Sequence, residues 1–252
     1  MDAVRSAAKQ GAHIAAFAEL AFEPFYPQRP ADGNPARLAQ PIPGPITDAF
    51  SALARELEIV IVLNLYEHAG QQTYDSSPVI DADGSLLGVT RMIHITEYEC
   101  FHEQGYYSPG DTGAPVYETR HGKIGVAICY DRHFPEFMRA MAIGGADIVI
   151  VPQAGSVGEW PEGLYEAEMR VTAFQNGYFT ALVNRVGHEE CLEFAGESFV
   201  CDPNGVVTAR AGSGTEEVLI ADLDLSQCDL SHARQLFLRH RRPGIYGQWG
   251  IS

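Results

Sequence analysis

Short apolar runs alternate along the chain with stretches whose apolar residues recur every three or four positions. The runs are rich in β-branched residues and predict buried strands at 59–66, 146–153 and 178–187. The stretches with the longer period predict helices at 2–10, 46–57, 135–146 and 161–176. The chain therefore reads as an alternation of strands and helices.

Turn residues interrupt three further segments and predict β-hairpins. These segments are 77–88 with Asp83-Gly84 at its turn, 115–130 with His121-Gly122, and 199–210 with Pro203-Asn204-Gly205. Apolar runs at 13–20 and 218–225 predict one more strand each. The expected architecture is α/β with mixed sheets and helices on the outer faces. Since no linker divides the chain, we expect a single domain over residues 1–252.

Composition narrows the possible functions. The chain has 17 basic and 33 acidic residues and a formal net charge of −16, which argues against binding to nucleic acid or to an anionic membrane. With 46% hydrophobic residues it is too apolar to be disordered. Lysine is rare: only Lys9 and Lys123 occur.

The cysteines and the N-terminal segment indicate the cellular compartment in which the protein is expected. The five cysteines form no CxxC pair, and their spacings suggest neither a zinc site nor a disulfide framework. The N-terminal segment has no apolar core of a signal peptide, and no apolar run approaches the ~20 residues of a spanning helix. A reducing cytoplasm with free thiols is the expectation.

Three residues stand where catalytic groups are often found. Cys129 follows the apolar segment KIGVAI and precedes a polar turn, where backbone N–H groups can stabilise a thiolate and an oxyanion. Glu19 ends the run HIAAFAEL, and burial there would raise its pKa toward that of a general base. Glu103 lies among aromatic residues. Each also has a structural interpretation: an inert core thiol, a turn-capping acid and a buried hydrogen-bonding group.

Together these segments resemble the nitrilase superfamily of carbon–nitrogen hydrolases. The resemblance covers most of the chain, in the order AELAFEPFYP, HITEYECFHEQGYYSPGD, GKIGVAICYDRHFPE, NRVG and GESFVCDPNG. The stretch from 160 to 187 is most similar to the β-ureidopropionase and N-carbamoyl amidohydrolase branch. The resemblance implies a four-layer αββα sandwich, assembled as a homodimer or larger homo-oligomer.

The resemblance also implies a mechanism for hydrolysing a small amide or N-carbamoyl compound. Glu19 would take the thiol proton of Cys129, the thiolate would form a thioester, and Glu103 would orient the neighbouring groups. The backbone N–H of Tyr130 would help to hold the oxyanion. No metal or organic cofactor is implied.

Arg132, three residues after the cysteine, has two interpretations. It is a plausible clamp for a substrate carboxylate in members of the carbamoylase type. A structural ion pair with a nearby acid such as Glu136 is an equally good explanation.

The family lysine is missing. In the segment TRMIHIT, His94 is in register and Met92 occupies the position of the lysine. Arg91 is adjacent, but neighbouring side chains of a strand point to opposite faces, and neither lysine of the chain is within reach of Cys129. Three explanations are possible. The chain is an active enzyme in which another group fills the role of the lysine, or it is a weakened or inactive homologue that binds a ligand. The third is a deliberate or accidental substitution at position 92.

Smaller departures from the family pattern accompany this one. Ala18 stands where a proline is common, and Asp75 stands where asparagine is usual. Members usually have a strand before the first helix, so the first strand is expected to be missing.

Overall fold

The N-terminal part of the chain builds a five-stranded mixed sheet in the computed structural model, which describes residues 1–249. Its strands are β1 (Ile14–Ala16), β2 (Val60–Val62), β3 (Leu65–Ala69), β4 (Gln72–Ile80) and β5 (Leu86–Arg91). β1 pairs in parallel with β2, and the long strand β4 pairs in antiparallel fashion with β2, β3 and β5. The run predicted as one strand over 59–66 is two strands, because β2 and β3 pair with different parts of β4.

The remaining chain builds a six-stranded sheet in the order β13-β12-β9-β8-β7-β6. Its strands are β6 (Val116–Thr119), β7 (Gly122–Val126), β8 (Ile148–Gln153), β9 (Phe179–Asn184), β12 (Phe199–Cys201) and β13 (Val207–Arg210). β10 (Val186–Glu189) and β11 (Leu192–Ala195) form a separate hairpin. The centre of this sheet is parallel, because β7 and β9 both run alongside β8 in the same direction.

Four helices lie close to their predicted positions, whereas the short helices Ser226–Leu230 and Pro243–Tyr246 were not predicted. The helices are α1 (Asp2–Lys9), α2 (Pro45–Leu57), α3 (Pro135–Ile143), α4 (Leu164–Asn176), α5 (Ser226–Leu230) and α6 (Pro243–Tyr246). α4 begins three residues later than predicted, because Gly163 before it adopts a left-handed conformation with φ 80°. None of the helices within residues 1–249 is both long and apolar enough to cross a membrane.

Alternating side chains of the strands define four layers. In β2, Ile61 packs with α1 and α2, whereas Val60 and Val62 face the second sheet. In β8, Val149 packs with α3 and α4, whereas Ile148 faces the first sheet. The order helix, sheet, sheet, helix confirms the predicted αββα sandwich.

Three parts of the secondary structure differ from the prediction. The hairpins β3–β4 and β10–β11 were not predicted, and residues 218–225 form no strand. A groove of about 1080 Å³ is lined by both β1 and residues 215–225. β1 is an edge strand, so among residues 1–249 nothing pairs with its second edge. The apolar run at 218–225 lines the groove beside this free edge but forms no hydrogen-bonded ladder with it.

The prediction that no disulfide joins the cysteines is wrong. Cys100 and Cys191 are disulfide-bonded, with Cα atoms 6.4 Å apart and a sequence separation of 91. The bond connects the loop before Glu103 to the turn of the β10–β11 hairpin. Spacing along the chain could not show this pairing, because only the packing of the two loops brings the cysteines together. Cys129, Cys201 and Cys228 are free and buried.

Candidate active site

Cys129 begins a 3₁₀ turn, Cys129–His133, just after strand β7 at the centre of the second sheet. Its backbone has φ 43°, in the left-handed region that L-residues rarely adopt. Cys129 is 6% exposed, and the backbone N–H of Ala154, which follows β8, favours the charged form of its thiol. The fold therefore holds this thiol in one strained position at the carboxyl ends of two parallel strands.

Glu19 follows strand β1 and is fully buried. The next residue, Leu20, has φ 44°, and its N–H donates to Oδ1 of Asn64 at 2.8 Å. Arg185 Nη1 donates to the backbone oxygen of Glu19 at 2.9 Å. Both oxygens of the Glu19 carboxyl group are buried without a hydrogen-bond partner among residues 1–249, and one of them lies within 4.8 Å of the Cys129 sulfur.

Glu103 reaches the same point from a 3₁₀ turn, Glu103–Gly105, and is also fully buried. The Thr96 N–H donates to its Oε2 at 3.3 Å, while Oε1 has no partner among residues 1–249. One oxygen of Glu19, one of Glu103 and the sulfur of Cys129 all lie within 4.8 Å of one another. The structure thus brings the three predicted residues together. A cation could fit such a group, but a thiol and its base require the same proximity, so the distances alone define no metal site.

Met92 lies beside this cluster without any exposed surface, and its N–H donates to the Asp75 backbone oxygen at 2.9 Å. Arg91 points to the other face, where Nη2 contacts Glu67 at 2.7 Å and Nη1 contacts Asp111 at 2.8 Å. Lys123 pairs with Glu118 on β6. No lysine of the described chain therefore reaches the cluster.

Burial and mutual repulsion raise the pKa values of the whole cluster. Burial, followed by the charge of Glu103, raises the pKa of Glu19 to about 7. The pKa of Asp75 and that of Glu103 are raised well above the usual range, first by burial and then by neighbouring carboxylates. Burial and the charges of Glu19 and Glu103 also raise the pKa of the Cys129 thiol. The resting thiol is therefore neutral and needs a base.

The Arg132 side chain is buried behind the nucleophile. Nη1 donates to the Cys129 backbone oxygen at 2.9 Å and to Gln153 Oε1 at 2.8 Å, and Nε lies 3.3 Å from Glu168. Arg132 therefore does form a structural ion pair, but its partner is Glu168 of α4 rather than Glu136. Nη2 has no acceptor among residues 1–249 and keeps the clamp hypothesis open.

Tyr130 supplies a free donor next to the thiol. Its backbone N–H donates to no residue within 1–249. This is the property that an oxyanion donor requires before substrate binds.

Several site residues were not predicted. Asn64 and Asp75 join the cluster from the first sheet, and the buried Tyr107 hydroxyl has no partner within residues 1–249. Tyr98 and Tyr165 both donate to Glu159, and their pKa values respond to the charge of Cys129. A polar residue after an apolar strand could have flagged Asn64, but no sequence signal brings the tyrosines to the site. The two cavities of about 580 and 1080 Å³ lie elsewhere and are not lined by Cys129.

An αββα sandwich that buries two acids beside a thiol is the arrangement that the resemblance to carbon–nitrogen hydrolases implies. The profile of the family "Carbon-nitrogen hydrolase" matches residues 1–232. The chain therefore belongs to the carbon–nitrogen hydrolase family of the nitrilase superfamily.

The relatives include several enzymes. N-carbamoylputrescine amidase of Solanum lycopersicum is 36% identical, covering 96% of this chain and 85% of the relative. Citrullinase of Francisella tularensis is 33% identical, covering 81% of this chain and 74% of the relative.

Two solved structures have the same fold as this chain. A carbon–nitrogen hydrolase from Helicobacter pylori has a TM-score of 0.89 at 30% identity and covers 98% of this chain and 89% of its own. An amidase variant from Nesterenkonia, with acrylamide added at its active site cysteine, has a TM-score of 0.81 at 26% identity and covers 98% of this chain and 90% of its own.

Proposed function

We propose that the protein hydrolyses a C–N bond in a small amide or N-carbamoyl compound, with Cys129 as nucleophile and Glu19 as general base. One observation carries the proposal: an oxygen of Glu19, an oxygen of Glu103 and the sulfur of Cys129 are buried together within 4.8 Å of one another. The raised pKa of Glu19, about 7, suits a base that must accept and return a proton near neutral pH.

The first half of the reaction forms a thioester. The proton on the Cys129 sulfur passes to Glu19, and the thiolate attacks the carbonyl or carbamoyl carbon. The Tyr130 N–H donates a hydrogen bond to the resulting oxyanion. As the tetrahedral intermediate collapses, the C–N bond breaks and the leaving nitrogen takes the proton from Glu19.

The second half releases the acid. Glu19, again a carboxylate, takes a proton from water while the water oxygen attacks the thioester carbon. The C–S bond then breaks, and the proton returns from Glu19 to the Cys129 sulfur. Glu103 orients Glu19 and the thiol throughout, and the free Nη2 of Arg132 is the candidate contact for a substrate carboxylate.

The relatives support the substrate class. Their names include an amidase acting on N-carbamoylputrescine and a citrullinase, both of which point to a carbamoyl nitrogen compound. We infer that an N-carbamoyl amine or amino acid is a better substrate than a nitrile.

A second candidate is a weakened or inactive homologue that binds a ligand on the same scaffold. Met92 favours it, because a buried thioether donates no hydrogen bond to an oxyanion and carries no charge. Losing one oxyanion donor typically costs ~10²–10³ in rate. The fold and the pocket would survive that loss.

Turnover and covalent trapping separate the two candidates. We would incubate the full chain with simple amides, N-carbamoyl amino acids and N-carbamoyl amines, then measure ammonia release and the mass of the intact protein. We expect turnover and an acyl or carbamoyl adduct on Cys129, both lost in Cys129→Ala. Cys228→Ala, which removes another buried free thiol, should retain both. Saturable binding of a panel compound without turnover or adduct would establish the ligand-binding protein instead.

A further inference from the structure

The turn that carries Glu19 is held mainly by contacts from elsewhere in the chain. Within the described residues, the segment 19–23 belongs to no helix or strand, and an internal backbone hydrogen bond joins the Glu23 N–H to the Leu20 oxygen at 3.1 Å. Both carboxyl oxygens of Glu19 are buried without a hydrogen-bond partner among residues 1–249. The position of this carboxyl group therefore depends on what holds the backbone around it.

The Arg185 guanidinium holds this turn. Its Nη1 donates to the backbone oxygen of Glu19 at 2.9 Å and to that of Leu20, and its Nη2 donates to the backbone oxygen of Glu23 at 3.1 Å. Its Nε has no partner among residues 1–249. Three carbonyl oxygens from different places along the turn thus meet one planar group, and the compact ammonium of a lysine does not reproduce that fork of donors.

Arg185 is itself fixed to the second sheet. It directly follows β9, its N–H donates to the Gln153 oxygen of β8 at 3.0 Å, and its Cζ lies 5.0 Å from the ring centroid of Phe194. The side chain is 10% exposed. β8 is also the neighbour of β7, after which Cys129 lies. The residue that holds the Glu19 turn therefore belongs to the sheet that carries the thiol.

Glu189 extends this arrangement from β10. It forms an ion pair with Arg185 Nη2, and its Oε2 accepts the Phe25 N–H at 2.9 Å and lies 3.2 Å from Gln28 Nε2. Arg185 therefore holds the beginning of the segment 19–28, and Glu189 holds its end. Because the two residues bring one charge of each sign, the largely buried guanidinium has a counter-charge.

We propose that Arg185, supported by Glu189, is a positioning residue for the general base. It ties the Glu19 turn of the first sheet to the second sheet, so that an oxygen of Glu19 stays within 4.8 Å of the Cys129 sulfur. Its hydrogen bonds go to backbone oxygens and to Glu189, so it acts on the reaction through Glu19. This inference rests on the proposed function, because that function makes Glu19 the base.

Steady-state kinetics of Arg185→Lys test this role. Lysine keeps the positive charge but not the planar fork, so kcat should fall by ~10²-fold, as for a small misplacement of a reacting group, with little change of KM. The matched control is Arg210→Lys on β13, because Arg210 also pairs with a glutamate, Glu166, and also lies 5.0 Å from a phenylalanine ring. The control should keep both constants. A wild-type kcat in Arg185→Lys would overturn the proposal.

A double-mutant cycle separates positioning from a contribution to the fold. If Arg185 acts through Glu19, Arg185→Lys should cost nothing further once Glu19→Gln has removed the base. An arginine that only stabilises the fold would lower kcat by the same factor with and without Glu19, and that result would overturn the proposal. If Arg185→Lys does not fold, Glu189→Gln takes its place in the cycle. It removes the counter-charge of the guanidinium, so its loss of kcat should be smaller, and again absent beside Glu19→Gln.

Alkylation of Cys129 by iodoacetamide gives the same cycle without a substrate. Glu19 accepts the thiol proton in this reaction too, so Glu19→Gln and Arg185→Lys should each slow alkylation at neutral pH, measured as the mass of the peptide that contains Cys129. The double variant should be no slower than Glu19→Gln. Alkylation that Glu19→Gln slows and Arg185→Lys leaves unchanged or accelerates would overturn the positioning role. The expected pattern in a chain that hydrolyses none of the panel compounds would leave that role standing and reject the proposed function alone.

Discussion

Each face of the first sheet carries one buried acid, on the neighbouring strands β3 and β4. On one face an arginine pairs with the acid, and on the other face no cation among residues 1–249 does. On one face, Glu67 accepts hydrogen bonds from Arg91 Nε at 2.8 Å, Arg91 Nη2 at 2.7 Å and the Ser76 hydroxyl at 2.6 Å. On the other face, the Asp75 side chain accepts a hydrogen bond from Asn64 Nδ2 at 2.5 Å, and its backbone oxygen accepts one from the uncharged Met92 at 2.9 Å. Arg91 and Met92 are adjacent, so a single step along the chain separates a compensated acid from an uncompensated one.

The paired acid and the unpaired acid suit different tasks. A paired carboxylate keeps its charge and stabilises the sheet locally. A carboxyl group without a cation keeps a proton near neutral pH and can exchange it. The first face therefore supports the fold, and the second is suited to proton transfer.

The largest expected effect comes from removing the cation of the paired face. Arg91→Met leaves Glu67, which is 2% exposed, as a buried charge without its partner. Breaking such a pair typically costs about 3–5 kcal/mol of unfolding free energy. Urea denaturation of Arg91→Met, Glu67→Gln and the double variant measures this cost, and the double variant should recover part of it. An Arg91→Met chain as stable as wild type would show that the two faces do not differ as described.

The next effect comes from adding a cation to the unpaired face. Met92→Lys would place an ammonium beside Glu19, Glu103 and Cys129, and an added oxyanion donor is worth ~10²–10³ in rate. Turnover of the best panel substrate should rise by that amount, while Met92→Leu, which adds no charge, should not change it. Unchanged turnover in Met92→Lys beside solid wild-type activity would mean that another group already fills the role.

The pH dependence of stability gives a smaller effect with a definite sign. Glu19 has a folded pKa of about 7 against an ordinary value of 4.5, so between these values the folded chain binds the proton more tightly than the unfolded chain. This stabilisation is complete below pH 4.5 and is lost as pH rises to about 7, a decline of about 3 kcal/mol. The raised pKa values of Asp75 and Glu103 act with the same sign.

Denaturation across this pH range checks the decline. Glu103→Gln should reduce it, because the variant removes one buried acid and the repulsion that raises the pKa of Glu19. Glu216→Gln, on an exposed acid, should leave it unchanged. If the free energy of unfolding instead rose over this pH range, the cluster would have to be ionised, with cations that balance its negative charges.

Sequence reasoning found the residues whose position follows from a single element. Cys129 and Glu19 each follow an apolar run, and the ends of buried strands meet at one edge of the fold, so their proximity could be predicted. The exclusion of Arg91 followed from the alternation of side chains along a strand. The layered architecture followed from the same alternation together with the family resemblance.

Sequence reasoning failed where two distant segments had to meet. The pairing of Cys100 with Cys191 and that of Arg132 with Glu168 depend on loops and helices from different parts of the chain. Residues 218–225 have the composition of a strand, but a strand exists only where a neighbouring edge accepts its hydrogen bonds. Local pattern carries no information about such neighbours.

The order of the residues is enough to identify the family, the positions of the two acids and the thiol, and the replacement of the family lysine by Met92. What surrounds them follows from the fold: the contact between Asn64 and Asp75, the burial of both acids with the thiol, and the lack of a lysine near them among residues 1–249. The reason is physical, because a charge state depends on burial and on every group within a few ångströms. Those neighbours come from separate strands and turns that the fold alone brings together.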